Sequence, residues 1–149
     1  MIRVSIASPQ ETVPIVRAKM RDVARKVLEA EDVSDAQISV AFVDNTTIQQ
    51  LNKRYLDHDE PTDVLSFPLS DAQGGPLQGE LVVGAEVGQV QAAVRGHDVQ
   101  AELALYVIHG LLHLCGYSDT DMEARRKMRR RERYHLMALG LPDIAPAEE

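Results

Sequence analysis

Cysteine is nearly missing from this 149-residue chain. Cys115 is the sole one, which excludes an intrachain disulfide framework and any cysteine-rich metal site. Aromatic side chains are scarce as well, with four Tyr, two Phe and no Trp. The core must then be aliphatic, and a platform of several stacked rings for single-stranded bases is not expected. Long apolar runs are also lacking. The longest nearly unbroken one, Leu103 to Cys115, is too short to span a bilayer and contains two histidines. Met1-Ile2-Arg3-Val4-Ser5-Ile6 lacks the basic and then apolar arrangement of a secretory leader. The expectation is a soluble, cytoplasmic protein with no membrane association. No repeat, low-complexity tract or linker interrupts the chain, so one domain over residues 1–149 is expected.

What is present is alternation of two periods. Ile2, Val4 and Ile6 alternate with polar residues, as do Ile38, Val40 and Phe42 within 37–43, which predicts two half-buried strands. Val64 to Phe67 is a short strand that Pro68 cuts off, as at a sheet edge. Gln73-Gly74-Gly75-Pro76 reads as a turn, and Glu80 to Val83 as a further strand closed by Gly84. Pro14 opens a helix to about Ala30, with Ile15, Val16, Met20, Val23, Val27 and Leu28 inward. Asp44 caps a helix over about 45–55 that turns Ile48, Leu51 and Tyr55 inward. Residues 86–95 fit a helix with Val87, Val90 and Val94 inward. Asp98 caps a longer helix to about Cys115, apolar almost all round and therefore central, which Gly116 ends. A last helix spans about 121–139. The order βαβαββααα predicts an α+β fold: a small mixed sheet of about four strands on one side and about five helices on the other.

The net charge of −7 argues against nucleic acid, but its distribution does not. Positions 125–133 hold seven basic residues, and the rest of the chain holds 9 basic and 22 acidic residues, a balance of −13. Clustered guanidinium groups suit phosphate oxygens, being planar, always charged and bidentate. The competing reading is a solvated helix face whose Arg stems cover apolar surface.

The stretch that carries chemistry is His109-Gly110-Leu111-Leu112-His113-Leu114-Cys115-Gly116-Tyr117-Ser118-Asp119. Histidines four apart share one helix face and can reach one ion. In a buried helix their imidazoles stay neutral, which is the ligating form. Gly116 lets the chain turn back, so that Asp119 supplies a third ligand. Two imidazoles and a carboxylate leave one of zinc's four positions open, the pattern of catalytic rather than structural sites. The competing reading is a pair of satisfied core histidines. Asp121 competes with Asp119 in the same loop, and Cys115, about 200° round the helix from His113, points away. A thermolysin-type motif needs Glu directly after the first His, and here that position is Gly110, so peptide hydrolysis by that route lacks its base.

This stretch resembles the signature of the YbeY family of bacterial endoribonucleases, His-Gly-x-Leu-His-Leu-x-Gly-Tyr-Asp-His. Leu51-Asn52 followed by Pro61-Thr62-Asp63-Val64-Leu65-Ser66-Phe67-Pro68 is similar to that family's second hallmark, and Gly79-Glu80-Leu81-Val82-Val83 to its Gly-Asp-Ile-x-Ile segment. The blocks fall in the family's order across about residues 40–140. The resemblance implies an α+β metalloprotein with one zinc per chain. It implies a single-strand endoribonuclease acting in ribosomal RNA processing, notably at the 3′ end of the small-subunit RNA, and in ribosome quality control, with the small ribosomal subunit as partner. The zinc ligands carry over to His109 and His113; the family has His where this chain has Asp119. Many members carry Arg directly after the aromatic that follows Leu-Asn, but here Tyr55 is followed by Leu56, which leaves Arg54 as the catalytic candidate. Thr62, Asp63 and Ser66 are expected to line the same cleft. Arg125, Arg126, Arg129 and Arg130 are expected to hold the RNA backbone beside the metal. The alternative is a ribosome-associated RNA-binding assembly factor whose metal is mainly structural.

Overall fold

The strand alternation and helix periods resolve, in a computed structural model that describes residues 1–70 and 75–147, into four strands and five helices. In chain order they are β1 (Ile2–Ala7), α1 (Arg17–Ala30), β2 (Ala36–Val43), α2 (Asn45–Leu56), β3 (Val64–Pro68), β4 (Leu77–Gly84), α3 (Ala85–Arg95), α4 (Val99–Leu114) and α5 (Met122–Ala138). The sheet order is β1-β2-β4-β3. The first three strands are parallel, with Val4 beside Ile38 and Val40 beside Leu81, and β3 runs antiparallel on the edge, where Ser66 faces Leu81. An α+β fold with a mixed sheet is thus what the chain adopts. Pro68 sits on the edge strand, where a missing N–H costs least.

Side chains of β2 and β4 that point to one face (Ile38, Val40, Phe42, Leu81, Val83) join the main core. There α4 is central: it touches β3, β4, α1, α3 and α5, and Leu103, Val107, Ile108, Leu111 and Leu112 are fully buried. The prediction that all helices share one side fails for α2. Ile48 packs with Val43, Leu65 and Val82 in a second, small core. Val82 and Val43 alternate with the residues of the main core, so α2 lies on the opposite sheet face.

Three further differences have local causes. The first helix begins at Arg17, not near Pro14. Gln10 brackets Val13, its side chain accepting from the Val13 N–H and donating to the Val13 carbonyl, and Gln100 donates to the Pro14 carbonyl. These groups are spent before the helix starts, and Val16 is exposed. In α3 the inward stripe is Ala85, Gly88 and Ala92, and Val90 and Val94 are exposed. Close approach decides this, because a Cβ on Gly88 would stand 2.5 Å from Leu103 Cδ2. Tyr55 is exposed rather than inward and meets Phe67 edge-on, ring centroids 5.2 Å apart. Of the expected turn at 73–76, Gln73 and Gly74 lie outside the described residues.

Candidate metal centre

Helix α4 carries a polar stripe through its apolar surface. Glu102, Tyr106, His109 and His113 recur at intervals of four, three and four, which keeps them on one face. Gly116, with φ +101°, ends the helix in the left-handed region. Its N–H donates to the His113 carbonyl and that of Tyr117 to the Leu112 carbonyl, both at 3.0 Å, which closes the helix and reverses the chain. The Tyr117 hydroxyl then donates to Glu31 at 2.8 Å and pins the start of the loop.

The loop returns Asp119 to the histidines. His109 Nε2 and His113 Nε2 are 3.0 Å apart, and Asp119 Oδ2 stands 3.4 Å from the latter and 3.9 Å from the former. Donors at about 2.0–2.1 Å from a tetrahedral zinc are about 3.3 Å from each other. The triangle here therefore fits one ion of that size. The tautomer fits too. His109 Nδ1 donates to Glu132 Oε2 at 2.8 Å, which leaves the Nε2 lone pair aimed at the other two donors. Burial holds His113 below the ordinary histidine range, aided by its neighbour His109, against the pull of Asp119, so its neutral form is favoured. Asp121 does not compete: its carboxylate caps α5, accepting from the Ala124 N–H at 2.8 Å. Cys115 is half-buried, and its thiol is pushed up to about 11 by burial and then by the charge of Glu31.

Beside the triangle lies a cleft of about 480 Å³, walled by Thr62, Asp63 and Ser66 as well as both histidines and Asp119. The Thr62 hydroxyl and the Val64 N–H both donate to Asp63 Oδ1, and Ser66 Oγ donates to the Gly110 carbonyl at 3.2 Å, tying β3 to α4. Arg54 is not brought in. It lies exposed on α2, 5.4 Å over the Tyr55 ring.

The basic segment is spread round α5 rather than gathered on one face. Arg125 donates to the Asp119 carbonyl at 3.3 Å, and Arg129 is half-buried against Glu132 at 2.8 Å. Arg131 pairs with Glu31 and Arg133 with Asp143, while Lys127 lies over the Tyr117 ring. Arg126 and Arg130 are exposed.

Sequence reasoning missed two residues, Glu132 and Glu102, each almost completely buried. Glu132 bridges His109 and Arg129. Glu102 takes Arg95 at 3.2 Å and also contacts His97. Burial and then Glu102 push the Tyr106 hydroxyl well above its ordinary value, so it stays protonated and donates to that carboxylate. The available signals were a lone acid among seven bases for Glu132, and an acid seven residues before His109 in an apolar helix for Glu102.

Comparison with known proteins gives a consistent result. The family profile described as Endoribonuclease YbeY matches residues 5–140. A protein named Endoribonuclease YbeY from Carboxydothermus hydrogenoformans is 44% identical over 104 residues, 70% of this chain and 73% of that one. One of the same name from Pelotomaculum thermopropionicum is 43% identical over 127 residues (79% and 82%), and one from Bacillus cereus 35% over 133 residues (82% and 85%). The solution structure of TM1509 from Thermotoga maritima is similar with a TM-score of 0.62 and 27% identity, covering 93% of this chain and 89% of that one.

Proposed function

Because this chain belongs to the YbeY family of endoribonucleases, we propose that it hydrolyses phosphodiester bonds of single-stranded RNA at the His109–His113–Asp119 centre. We assign one zinc per chain as cofactor. The substrate we assign is ribosomal RNA, at the 3′ end of the small-subunit RNA and in ribosome quality control on that subunit, in the cytoplasm. Among the described residues no helix is long and apolar enough to cross a membrane. The observation that carries the reading is the convergence of three donor atoms within 4.8 Å of one another, on the wall of an open cleft, in a chain of this family.

His109, His113 and Asp119 would hold the ion, and three protein donors leave one of four positions for a substrate or solvent oxygen. Zinc in such a site supplies Lewis acidity toward a phosphoryl oxygen and the charge that develops on it. The chain's own residues do the rest. Glu132 keeps the His109 proton on Nδ1 and so keeps Nε2 available. Arg129, fixed by the same carboxylate, offers its guanidinium to a phosphate at the cleft beside His109. Arg125, bonded to the Asp119 main chain, adds positive charge to the rim. Thr62, Asp63 and Ser66 shape the facing wall.

The test is metal analysis in parallel with RNA cleavage and RNA binding. Wild type is expected to retain one zinc, Asp119→Ala to lose it and Asp119→His to keep it. His113→Ala is expected to bind RNA without cutting it. If zinc-loaded wild type binds RNA but never cleaves above background, the chain is an assembly factor with a structural metal instead.

A further inference from the structure

Past His109 the metal cleft continues into a second cavity of about 400 Å³, roomy enough for a small ligand. Thr62, Asp63 and His109 belong to the walls of both. Most charged groups of the second cavity are already matched, Asp63 being the exception. Glu102 is engaged by Arg95, His97 and Tyr106, and Glu132 by Arg129 and His109. Two of the three carboxylates are thereby neutralised and two guanidinium groups are fixed in place, which leaves Asp63, among the described residues of this wall, as the one acid without a cationic partner.

What remains free is a small set of polar groups in a mainly polar cavity whose apolar wall is the lesser part. Among the described residues, the Gln91 side-chain amide has no hydrogen-bond partner, and neither does Asp63 Oδ2. Arg129 spends only Nη1 on Glu132, leaving Nε and Nη2 unengaged. Val87 of α3 and Leu105 of α4 supply apolar wall. An occupant with flat apolar faces, a polar edge and an anion at its His109 end would satisfy all of these at once.

We propose that this cavity receives one unpaired nucleobase of the RNA, the one adjoining the phosphate held at the metal centre, with Gln91 and Asp63 reading its edge and Arg129 on its phosphate. The proposal rests on the endoribonuclease reading and adds to it the place where the substrate is read. A pocket walled by α3, α4 and α5 admits a base only when it is swung out of its stack, and unstacked bases belong to single strands. The hydrogen bonds to the base edge, not the phosphate contacts, then set any preference among bases.

The test uses the zinc-loaded protein titrated with uridine 5′-monophosphate, adenosine 5′-monophosphate and, as a baseless control, ribose 5-phosphate. At least one nucleotide is expected to shift the Gln91 side-chain amide resonances and to bind about tenfold more tightly than ribose 5-phosphate, about the effect of one to two hydrogen bonds. Gln91→Ala, a change on the exposed rim, is expected to erase that advantage while zinc content and ribose 5-phosphate binding stay as in wild type. Equal binding of the three probes, or an undiminished advantage in Gln91→Ala, overturns the proposal. A cleavage assay separates this failure from that of the function itself. A strand made abasic beside the scissile bond is expected to be cut about tenfold more slowly. If it is cut as fast as the intact strand, the pocket assignment falls and the ribonuclease stands. If no RNA is cut at all, the ribonuclease reading falls, and the titration still decides the pocket.

Discussion

Glu132 carries more of the centre than its place in the chain suggests. A fully buried carboxylate is stable only when its acceptor sites are filled, and here His109 Nδ1 and Arg129 Nη1 fill them. Glu132→Gln keeps an acceptor but removes the charge that raises the basicity of His109. Zinc affinity is expected to drop about 10–100-fold, read by competition with a chelator, with the fold retained. The histidines were legible in the sequence because a spacing of four is itself a geometric statement. Glu132 was not, because nothing in a run of bases says which position turns inward. A second residue-scale prediction concerns acid. Burial holds His135 below the ordinary histidine range, outweighing its contact with Glu31. Burial pushes Glu31 up, but hydrogen bonds from Arg131, Tyr117 and His135 together pull it below its ordinary value. On unfolding, both residues bind protons more readily than in the native state. The stability His135 contributes is therefore complete above about pH 6.5 and lost as pH falls through its lower native value. The Glu31 contribution follows, complete above its ordinary value of 4.5 and lost below it. Denaturation midpoints are expected to fall in these two stages on acidification, with His135→Gln removing the first stage and Glu31→Gln the second.

At the scale of elements, the long helix α4 and the strands were readable because their periods persist, and α3 was misread for an instructive reason. Val87, Val90 and Val94 make as regular a stripe as Ala85, Gly88 and Ala92, and hydrophobicity favours the first. Packing chose the second, keeping only Val87 of the first against the core, because the small side chains let α3 approach α4. A pattern of apolar residues reports what can be buried, not how close the neighbour comes. The far-side position of α2 was hidden likewise, since strand alternation does not say which helix covers which face. Closeness also governs the junction of β4 and α3. A Cβ on Gly84 would stand 2.4 Å from the Thr62 carbonyl oxygen, a backbone atom, and the Gly84 N–H donates to the Asp63 carbonyl at 2.8 Å. Gly84→Ala must therefore push the 62–63 segment outward. The expected cost is about 1–3 kcal/mol, seen as a melting temperature several degrees lower, together with weaker RNA cleavage from a displaced cleft wall.

For the molecule as a whole, the contrast between an acidic body and a basic α5 sets how it meets a polyanion. The body repels RNA at long range, so productive approach must be along the face that α5 shares with the metal cleft. Arg125→Gln combined with Arg130→Gln is expected to weaken binding of single-stranded RNA without altering base preference. The slope of log affinity against log salt is expected to flatten by about 0.7 for each phosphate that is no longer neutralised, measured between about 50 and 200 mM salt.

The two unequal cores have a mechanical consequence. The layer beneath α2 is anchored by four buried side chains, whereas α4 is enclosed by three helices and two strands. Segments held by so little buried surface open locally at a fraction of the free energy of global unfolding. The 57–63 connection leads from α2 to Thr62 and Asp63, but the Asp63 carbonyl is held by the Gly84 N–H and Ser66 is tied to α4, so this cleft wall and the imidazole pair both belong to the deeply embedded layer. Opening of the α2 layer can thus proceed while both walls of the cleft keep their spacing.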